Sequence, residues 1–188
     1  MQSSKRGEGW IPTEFAVSEV KITVATPHEK TALANLMQLY MHDFSEHWTG
    51  RSQGDLGDDG RFPDYPLDAY WRETTHVPLL LRSNSCLVGF ALLNGSSHTS
   101  RSVDRNMAEF FIARKYRRGG IGTAAAQTIF SRYPGLWETA VARRNTAALS
   151  FWRKTVMQHP LAADIEESDV RTSDWNGPVI RFQIRQPS

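Results

Sequence analysis

The stretch that decides the fold reads Met107-Ala-Glu-Phe-Phe-Ile-Ala-Arg-Lys-Tyr-Arg-Arg-Gly-Gly-Ile-Gly-Thr-Ala-Ala-Ala-Gln-Thr-Ile-Phe130. An apolar stretch, Met107–Ala113, predicts a strand; a basic, glycine-rich turn follows, and then a predicted helix over Gly120–Tyr133. The first N–H groups of a helix have no intrahelical acceptor, and the helix dipole favours negative charge at that end. Glycines allow the backbone to approach an anion closely. The stretch therefore predicts a pyrophosphate-binding turn at the start of a helix.

The segments on either side predict a mixed α/β fold. Thr26 and Pro27 are typical of a helix start, with Glu29 completing a capping box. The other predicted elements are strands at Val20–Ala25, Val77–Arg82, Cys86–Leu93, Leu136–Ala142 and Val179–Ile184, a hairpin turn at 83–85, and a helix at Asn145–Val156. The order β-α, β-β, β-α-β-α, β predicts a mixed sheet with helices on its faces.

The composition is that of a globular chain without a strong charge bias. Of 188 residues, 40% are hydrophobic and 22% are charged, and the formal net charge of +2 argues against a nucleic-acid partner. The single cysteine, Cys86, excludes an internal disulfide and fits a reducing cytoplasm. No apolar run approaches the ~20 residues of a membrane span, and the N-terminal residues lack the apolar core of a signal peptide. We expect a cytoplasmic protein without a membrane partner, in which residues 1–18 form a flexible arm and residues 19–188 a single domain.

Two other kinds of phosphate site compete for the glycine turn. A Walker loop is excluded because the chain contains no Gly-Lys-Ser or Gly-Lys-Thr. A dinucleotide site has some support, since Gly120, Gly122 and Ala125 satisfy the relaxed fingerprint and basic residues follow the next strand. However, at least three predicted strands precede the turn, and two of them form a tight antiparallel hairpin. That order does not suit a parallel dinucleotide-binding sheet.

A third interpretation accounts for more of the chain. Arg117-Arg118-Gly119-Gly120-Ile121-Gly122 resembles motif A of the GNAT acyltransferase superfamily. Asn145-Thr-Ala-Ala-Leu-Ser-Phe-Trp152 resembles motif B of the same superfamily, in the expected order and at the expected distance. The resemblance covers roughly residues 19–185, and Tyr40–Glu46, Ala108–Phe111 and Phe151–Lys154 resemble a little-characterised bacterial subgroup. It implies an α/β fold with a mostly antiparallel sheet of six to seven strands, about four helices and splayed central strands.

The resemblance also implies a site for acetyl-coenzyme A. The turn would hold the pyrophosphate, the strand before it would offer backbone groups to the pantetheine arm, and Asn145 would lie near the cofactor. The implied cofactor-binding residues are Ile112, Ala113, Arg117, Arg118, Gly119, Gly120, Ile121, Gly122, Thr123, Asn145 and Trp152. Two alternatives stay open: the arginines could be solvated surface charges, and Asn145 could be a helix cap.

Glu109 is the candidate catalytic base. It lies on the strand before the turn, among apolar neighbours, and partial burial would raise its pKa toward the working pH. A purely structural role for Glu109 stays open. Trp152 departs from the family, in which many members place a general-acid tyrosine there. Because an indole N–H cannot give up a proton at any useful pH, the identity of the acid is open. Water, Tyr116 or a tyrosine from 65 or 70 are candidates; alternatively, the thiolate leaves unassisted, since thiols ionise near a pKa of ~8.5.

The acceptor is expected at segment 41–70, which is rich in acidic, glycine, proline and aromatic residues. Its candidate substrate residues are Asp43, Phe44, Trp48 and Tyr65, which suit a small cationic amine. The spacing of its acids misses the calcium-loop pattern, so we expect a solvated acidic loop and no metal. The predicted function is direct N-acetylation of a small primary amine; the alternative is a coenzyme-A-binding module with little catalysis. A homodimer is kept open.

Overall fold

The computed structural model describes residues 19–47 and 54–186, so the predicted N-terminal arm and Trp48 lie outside the described residues. The strands are β1 Val20–Val24, β2 Val77–Ser83, β3 Cys86–Asn94, β4 Arg105–Ile112, β5 Gly135–Ala140, β6 Ala162–Arg171 and β7 Asn176–Ile184. The α-helices of the described residues are α1 Lys30–Phe44, α2 Ile121–Arg132 and α3 Thr146–Met157. Short 3-10 helices occur at Pro27–Glu29, Ser45–His47, Leu67–Trp71 and Arg114–Tyr116.

The strands form a single seven-stranded sheet in the order β1-β2-β3-β4-β5-β7-β6. Every neighbouring pair is antiparallel except β4 and β5, which are parallel. The mixed, mostly antiparallel sheet that the family resemblance implied is therefore confirmed. Residues 19–47 and 54–186 contain three α-helices, where about four were expected.

The helices cover both faces of the sheet. Helix α1 and the turn Leu67–Trp71 pack on one face, around Leu33, Met37 and Phe90. Helices α2 and α3 pack on the other, where Phe130 and Trp137 are fully buried. The site described below lies where β4 meets both layers.

Local sequence signals explain most element boundaries. At the first helix start, the Thr26 N–H donates to the Glu29 carboxylate at 3.0 Å, which completes the predicted capping box. Pro27 begins a 3-10 turn there, and the α-helix proper starts only at Lys30. Asn84 and Ser85 both have positive φ, which is typical of a two-residue hairpin turn between β2 and β3.

Strand β6 has no counterpart in the sequence prediction. Its ten residues form the sheet edge and are mostly exposed, and the run Asp164–Asp169 is acidic. Such residues have low strand propensity and show no apolar alternation, so the sequence pattern does not predict a strand here. Glu167 pairs with Arg153 of α3 at 2.6 Å, and Asp169 with Arg143 at 2.5 Å. Charges along an exposed edge also discourage pairing with another sheet.

Candidate active site

The parallel pair β4 and β5 opens into a cleft. Their register includes just two residue pairs, Arg105 with Trp137 and Asn106 with Glu138, both at the start of β4. Beyond them the strands diverge, as the family resemblance implied, and a cavity of about 740 Å³ lies over the C-terminal half of β4. Its walls come from the end of α1, from β4, from the basic glycine turn and from α3.

The glycine turn presents free backbone amides to this cavity. Arg118 and Gly120 adopt left-handed conformations, with φ of 65° and 83°, and Gly120 is the N-cap of α2. Because a glycine N-cap has no side chain, the N–H groups of the first turn of α2 have no side-chain acceptor there. A Cβ built on Gly119 or Gly120 meets no atom within 4 Å. The turn is therefore an open, concave set of donors suited to an anion.

Arg117 is held in place by three contacts. Its Nε donates to the Ile112 carbonyl at 2.6 Å, its guanidinium lies 5.4 Å from the centre of the Phe111 ring, and it pairs with Asp43. Asp43 also pairs with Arg114 at 2.7 Å. Burial raises the pKa of Asp43, but hydrogen bonds from both arginines outweigh it and leave that pKa below its ordinary value. Arg117 is thus an ordered wall of the cavity, and the open alternative of a freely solvated arginine does not describe it.

The backbone of β4 explains where an extended ligand could pair. The Ala113 N–H donates to Val88 of β3 at 2.9 Å, so it is already used. Because hydrogen-bonding direction alternates along a strand, the N–H and C=O groups of Ile112 and Phe110 face the gap toward β5. The Ile112 carbonyl accepts from Arg117. The backbone groups of Phe110 were not foreseen from the sequence, because only a β-register reveals them.

Helix α3 supplies the opposite wall. The Asn145 side chain accepts a hydrogen bond from the Ala148 N–H at 3.0 Å, so Asn145 is the N-cap of α3 and at the same time lines the cavity. Phe151 stacks on Phe110 with ring centres 5.9 Å apart. Trp152 lies behind them, is 6% exposed, and does not line the cavity. Phe110 and Phe151, rather than Trp152, form the apolar wall.

Glu109 lies on the α1 side of β4. Leu92 pairs with Glu109 but Leu93 pairs with Met107, so Ala108 is an extra residue and forms a β-bulge. Burial raises the pKa of Glu109 to about 7, although hydrogen bonds from Tyr40 and Tyr65 act in the opposite direction. A carboxyl with that pKa can accept and return a proton near neutral pH.

Tyr65 is brought to Glu109 by a loop that is fixed to α1. The Gln38 side chain accepts from the Phe62 N–H at 2.9 Å and donates to the Phe62 carbonyl at 3.1 Å. Phe62 itself is buried, so this part of segment 41–70 is packed rather than merely solvated. Tyr65 also shares a hydrogen bond with Tyr70, whose pKa burial raises to about 12.

The sequence matches the model of a known family. The acetyltransferase (GNAT) family model matches residues 33–156, about two thirds of the chain. The chain belongs to the GNAT acetyltransferase family. None of the curated proteins matches it significantly.

Solved structures of other GNAT proteins share the fold. An aminoglycoside acetyltransferase AAC(6')-Ib in complex with coenzyme A is 15% identical, with a TM-score of 0.60 over 89% of this chain and 95% of that one. A GNAT acetyltransferase from Bacillus cereus is 12% identical, with a TM-score of 0.52 over 90% of this chain and 99% of that one. A chimera of the spermidine N-acetyltransferase SpeG from Vibrio cholerae and hSSAT is 11% identical, with a TM-score of 0.52 over 89% and 95%. At these identities the likeness establishes the fold alone.

In this GNAT protein the predicted site residues do not all meet at one surface. Ile112, Arg117, Arg118, Gly120, Gly122, Thr123, Asn145, Asp43 and Phe44 line the cavity. Ile121 and Trp152 are buried in the core, Tyr65 hydrogen-bonds to Glu109 and does not line the cavity, and Trp48 lies outside the described residues. Sequence reasoning missed Tyr40, Phe110, Phe151 and Lys154, which also line the cavity.

Within residues 19–47 and 54–186, no three His, Cys, Asp or Glu side chains come together as metal ligands would. In the same part of the chain, no helix combines the length and apolar character that crossing a bilayer requires.

Proposed function

We propose that this GNAT protein transfers an acetyl group from acetyl-coenzyme A directly to the primary amine of a small cationic molecule. The observation that carries the proposal is the cleft between β4 and β5, which ends at an uncapped helix start with open space above Gly119 and Gly120. We also propose that residues 19–188 act as one acyltransferase domain, since a single sheet joins β1 to β7.

The turn and the cleft fit the two halves of the coenzyme. The amides of Ile121, Gly122 and Thr123 would bind the pyrophosphate, with Arg118 exposed beside them. The edge of β4 at Phe110 and Ile112 would pair with the amides of the pantetheine arm, as an added strand does. The rings of Phe110 and Phe151 would cover its apolar atoms. Bound in this way, the coenzyme supplies a thioester carbonyl that an amine can attack.

The end of α1 is the proposed entrance for the acceptor. Asp43 and Glu46 line the cavity there, but Asp43 is already neutralised by Arg114 and Arg117. Glu46 is 73% exposed at its side chain and carries the accessible negative charge. An ammonium group would be attracted to that charge, with the Phe44 ring beside it. The aminoglycoside and spermidine acetyltransferases that share the fold are named for amine substrates, which agrees with this acceptor class.

The alternative is a coenzyme-A-binding module with little catalysis, which is favoured by Trp152 at the position where many relatives carry a tyrosine. A thiol-release assay with acetyl-coenzyme A over a panel of polyamines, aminoglycosides and amino acids separates the two. Release that depends on an added amine supports the enzyme. Calorimetry showing tight coenzyme binding, with no amine-dependent release, supports the module. No binding at all would overturn both.

A further inference from the structure

Tyr40 connects Glu109 to the cavity. The residues that line the cavity include Tyr40 but not Glu109, and the two side chains share a hydrogen bond. A group bound in the cavity would therefore contact Tyr40 rather than Glu109.

The position of Tyr40 is fixed by aromatic packing. Its ring centre lies 5.5 Å from that of Phe44, 5.9 Å from Phe90 and 6.2 Å from Phe111, and the contacts with Phe90 and Phe111 are edge-to-face. Helix α1, β3 and β4 each contribute one of these neighbours. The Tyr40 ring is therefore held in place by neighbours from three separate elements.

The groups around Glu109 suit proton transfer rather than permanent ionisation. Tyr40 of α1 and Tyr65 of the loop after α1 hydrogen-bond to the carboxyl, and Tyr70 hydrogen-bonds to Tyr65. Burial raises the pKa of Tyr40 well above its ordinary value, so Tyr40 stays a neutral phenol. A phenol that donates its proton to a carboxylate still has lone pairs with which to accept another. Tyr40 can thus pass a proton on without ever becoming a free tyrosinate.

We propose that Tyr40 is a catalytic residue that relays the proton between the acceptor nitrogen and Glu109; this rests on the proposed acetyl transfer. The lone pair of an uncharged amine forms a C–N bond to the thioester carbon. A nitrogen proton moves to the Tyr40 oxygen while the Tyr40 proton moves to the Glu109 carboxylate. The C–S bond then breaks, its electron pair stays on sulfur, and the proton returns from Glu109 through Tyr40 to the thiolate. One proton has moved from nitrogen to sulfur, and both residues are restored.

The proposed relay also supplies a general acid, the role that many family members assign to a tyrosine at the position of Trp152. Trp152 is buried behind Phe110 and cannot donate a proton to the sulfur. Tyr40 and Phe110 line the same cavity, in which the thioester would lie. Tyr65 does not line that cavity. The two tyrosines share the carboxyl but differ in their access to substrate, which provides a matched control.

The test compares Tyr40→Phe with Tyr65→Phe in the thiol-release assay across pH. Each variant keeps its ring and removes one hydrogen bond to ionised Glu109, so both should move the acidic limb of kcat/KM to higher pH. Only Tyr40→Phe should also lower the high-pH plateau of kcat, by about a hundredfold or more. Calorimetry should give the wild-type affinity for coenzyme A with both variants.

Equal plateaus for the two variants would overturn the relay and leave the proposed function standing. A wild-type protein that binds acetyl-coenzyme A but acetylates no amine would overturn both together. A measurement on the wild type covers the case in which Tyr40→Phe does not fold. A relay moves two protons in one step, so the rate should depend non-linearly on the fraction of D₂O in mixtures of H₂O and D₂O. A linear dependence, which is expected when one proton moves, would also overturn the relay.

Discussion

Replacing Glu109 by Gln should stabilise the folded protein above neutral pH. Burial raises the pKa of Glu109 from its ordinary 4.5 to about 7, so the folded state disfavours the ionised carboxyl. Each pKa unit corresponds to about 1.4 kcal/mol, so the difference between the two pKa values of Glu109 corresponds to about 3 kcal/mol. This free energy is an upper limit, because the Glu109 side chain keeps some contact with solvent. Gln is neutral at every pH and avoids the penalty.

The sign of the pH dependence follows from proton binding. Between about pH 4.5 and pH 7 the folded state holds the Glu109 proton and the unfolded chain does not. The contribution of Glu109 to stability is therefore most favourable below about pH 4.5, is lost as the pH rises through that window, and is constant above about pH 7. The wild type and Glu109→Gln should be about equally stable at the acidic end, and the variant more stable by up to about 3 kcal/mol at the alkaline end.

Urea unfolding of both proteins at a series of pH values measures this difference. Glu46→Gln is the matched control, because the Glu46 side chain is 73% exposed. In the acetylation assay the same ionisation should act in the opposite direction, with kcat/KM of the wild type rising as the pH increases through about 7. A stability difference between wild type and Glu109→Gln that stays constant with pH would refute the assigned burial of the carboxyl.

Three further substitutions test the turn, the cap and the buried ion pair. Gly120→Ala places a Cβ on a residue in the left-handed conformation, so it should lower the free energy of unfolding by about 1–2 kcal/mol and weaken coenzyme binding. Gly122→Ala is the control, because its Cβ would meet its nearest neighbours at 3.5 Å, an ordinary contact distance. Thermal unfolding and calorimetry should show no change in stability or in coenzyme affinity for Gly122→Ala. Asn145→Ala removes the α3 cap and should cost about 1 kcal/mol in urea unfolding. Arg181→Met leaves fully buried Glu138 without its ionic partner and should cost about 3–5 kcal/mol, most of which Glu138→Gln in the same chain should restore.

The sequence predicted those parts of the fold that depend on local signals. The capping box at Thr26, the hairpin turn at Asn84 and the helix start at Gly120 each follow from residues within one turn of the chain. Apolar alternation and helical spacing placed six of the seven strands and all three α-helices of the described residues. Strand β6 was missed because its acidic, exposed residues pair through long-range contacts with arginines rather than through a local pattern.

The candidate site was less accessible to sequence reasoning, because its geometry depends on register. Glu109 was identified as a base, but the bulge at Ala108 that sets its face is visible only in the pairing of β3 with β4. Nothing local in the sequence shows that Tyr40, on a helix 69 positions upstream, lies beside Glu109. Asp43 was assigned to the acceptor, whereas the structure pairs it with Arg114 and Arg117.

Where β4 diverges from β5, the backbone N–H and C=O groups on that edge of β4 face a gap, and an extended ligand that carries amides could hydrogen-bond to them. The buried pair Glu138 and Arg181 joins the middle of β5 to β7, at the last residue pair between β4 and β5. Beyond that point, Phe151 packs on Phe110 and α3 lies where a strand would otherwise continue. The edge of β4 therefore presents polar backbone groups inside a partly apolar cleft, which is costly unless a partner or water satisfies them. A ligand that carries amides along its length and a diphosphate at one end would satisfy both the strand edge and the uncapped start of α2 at once.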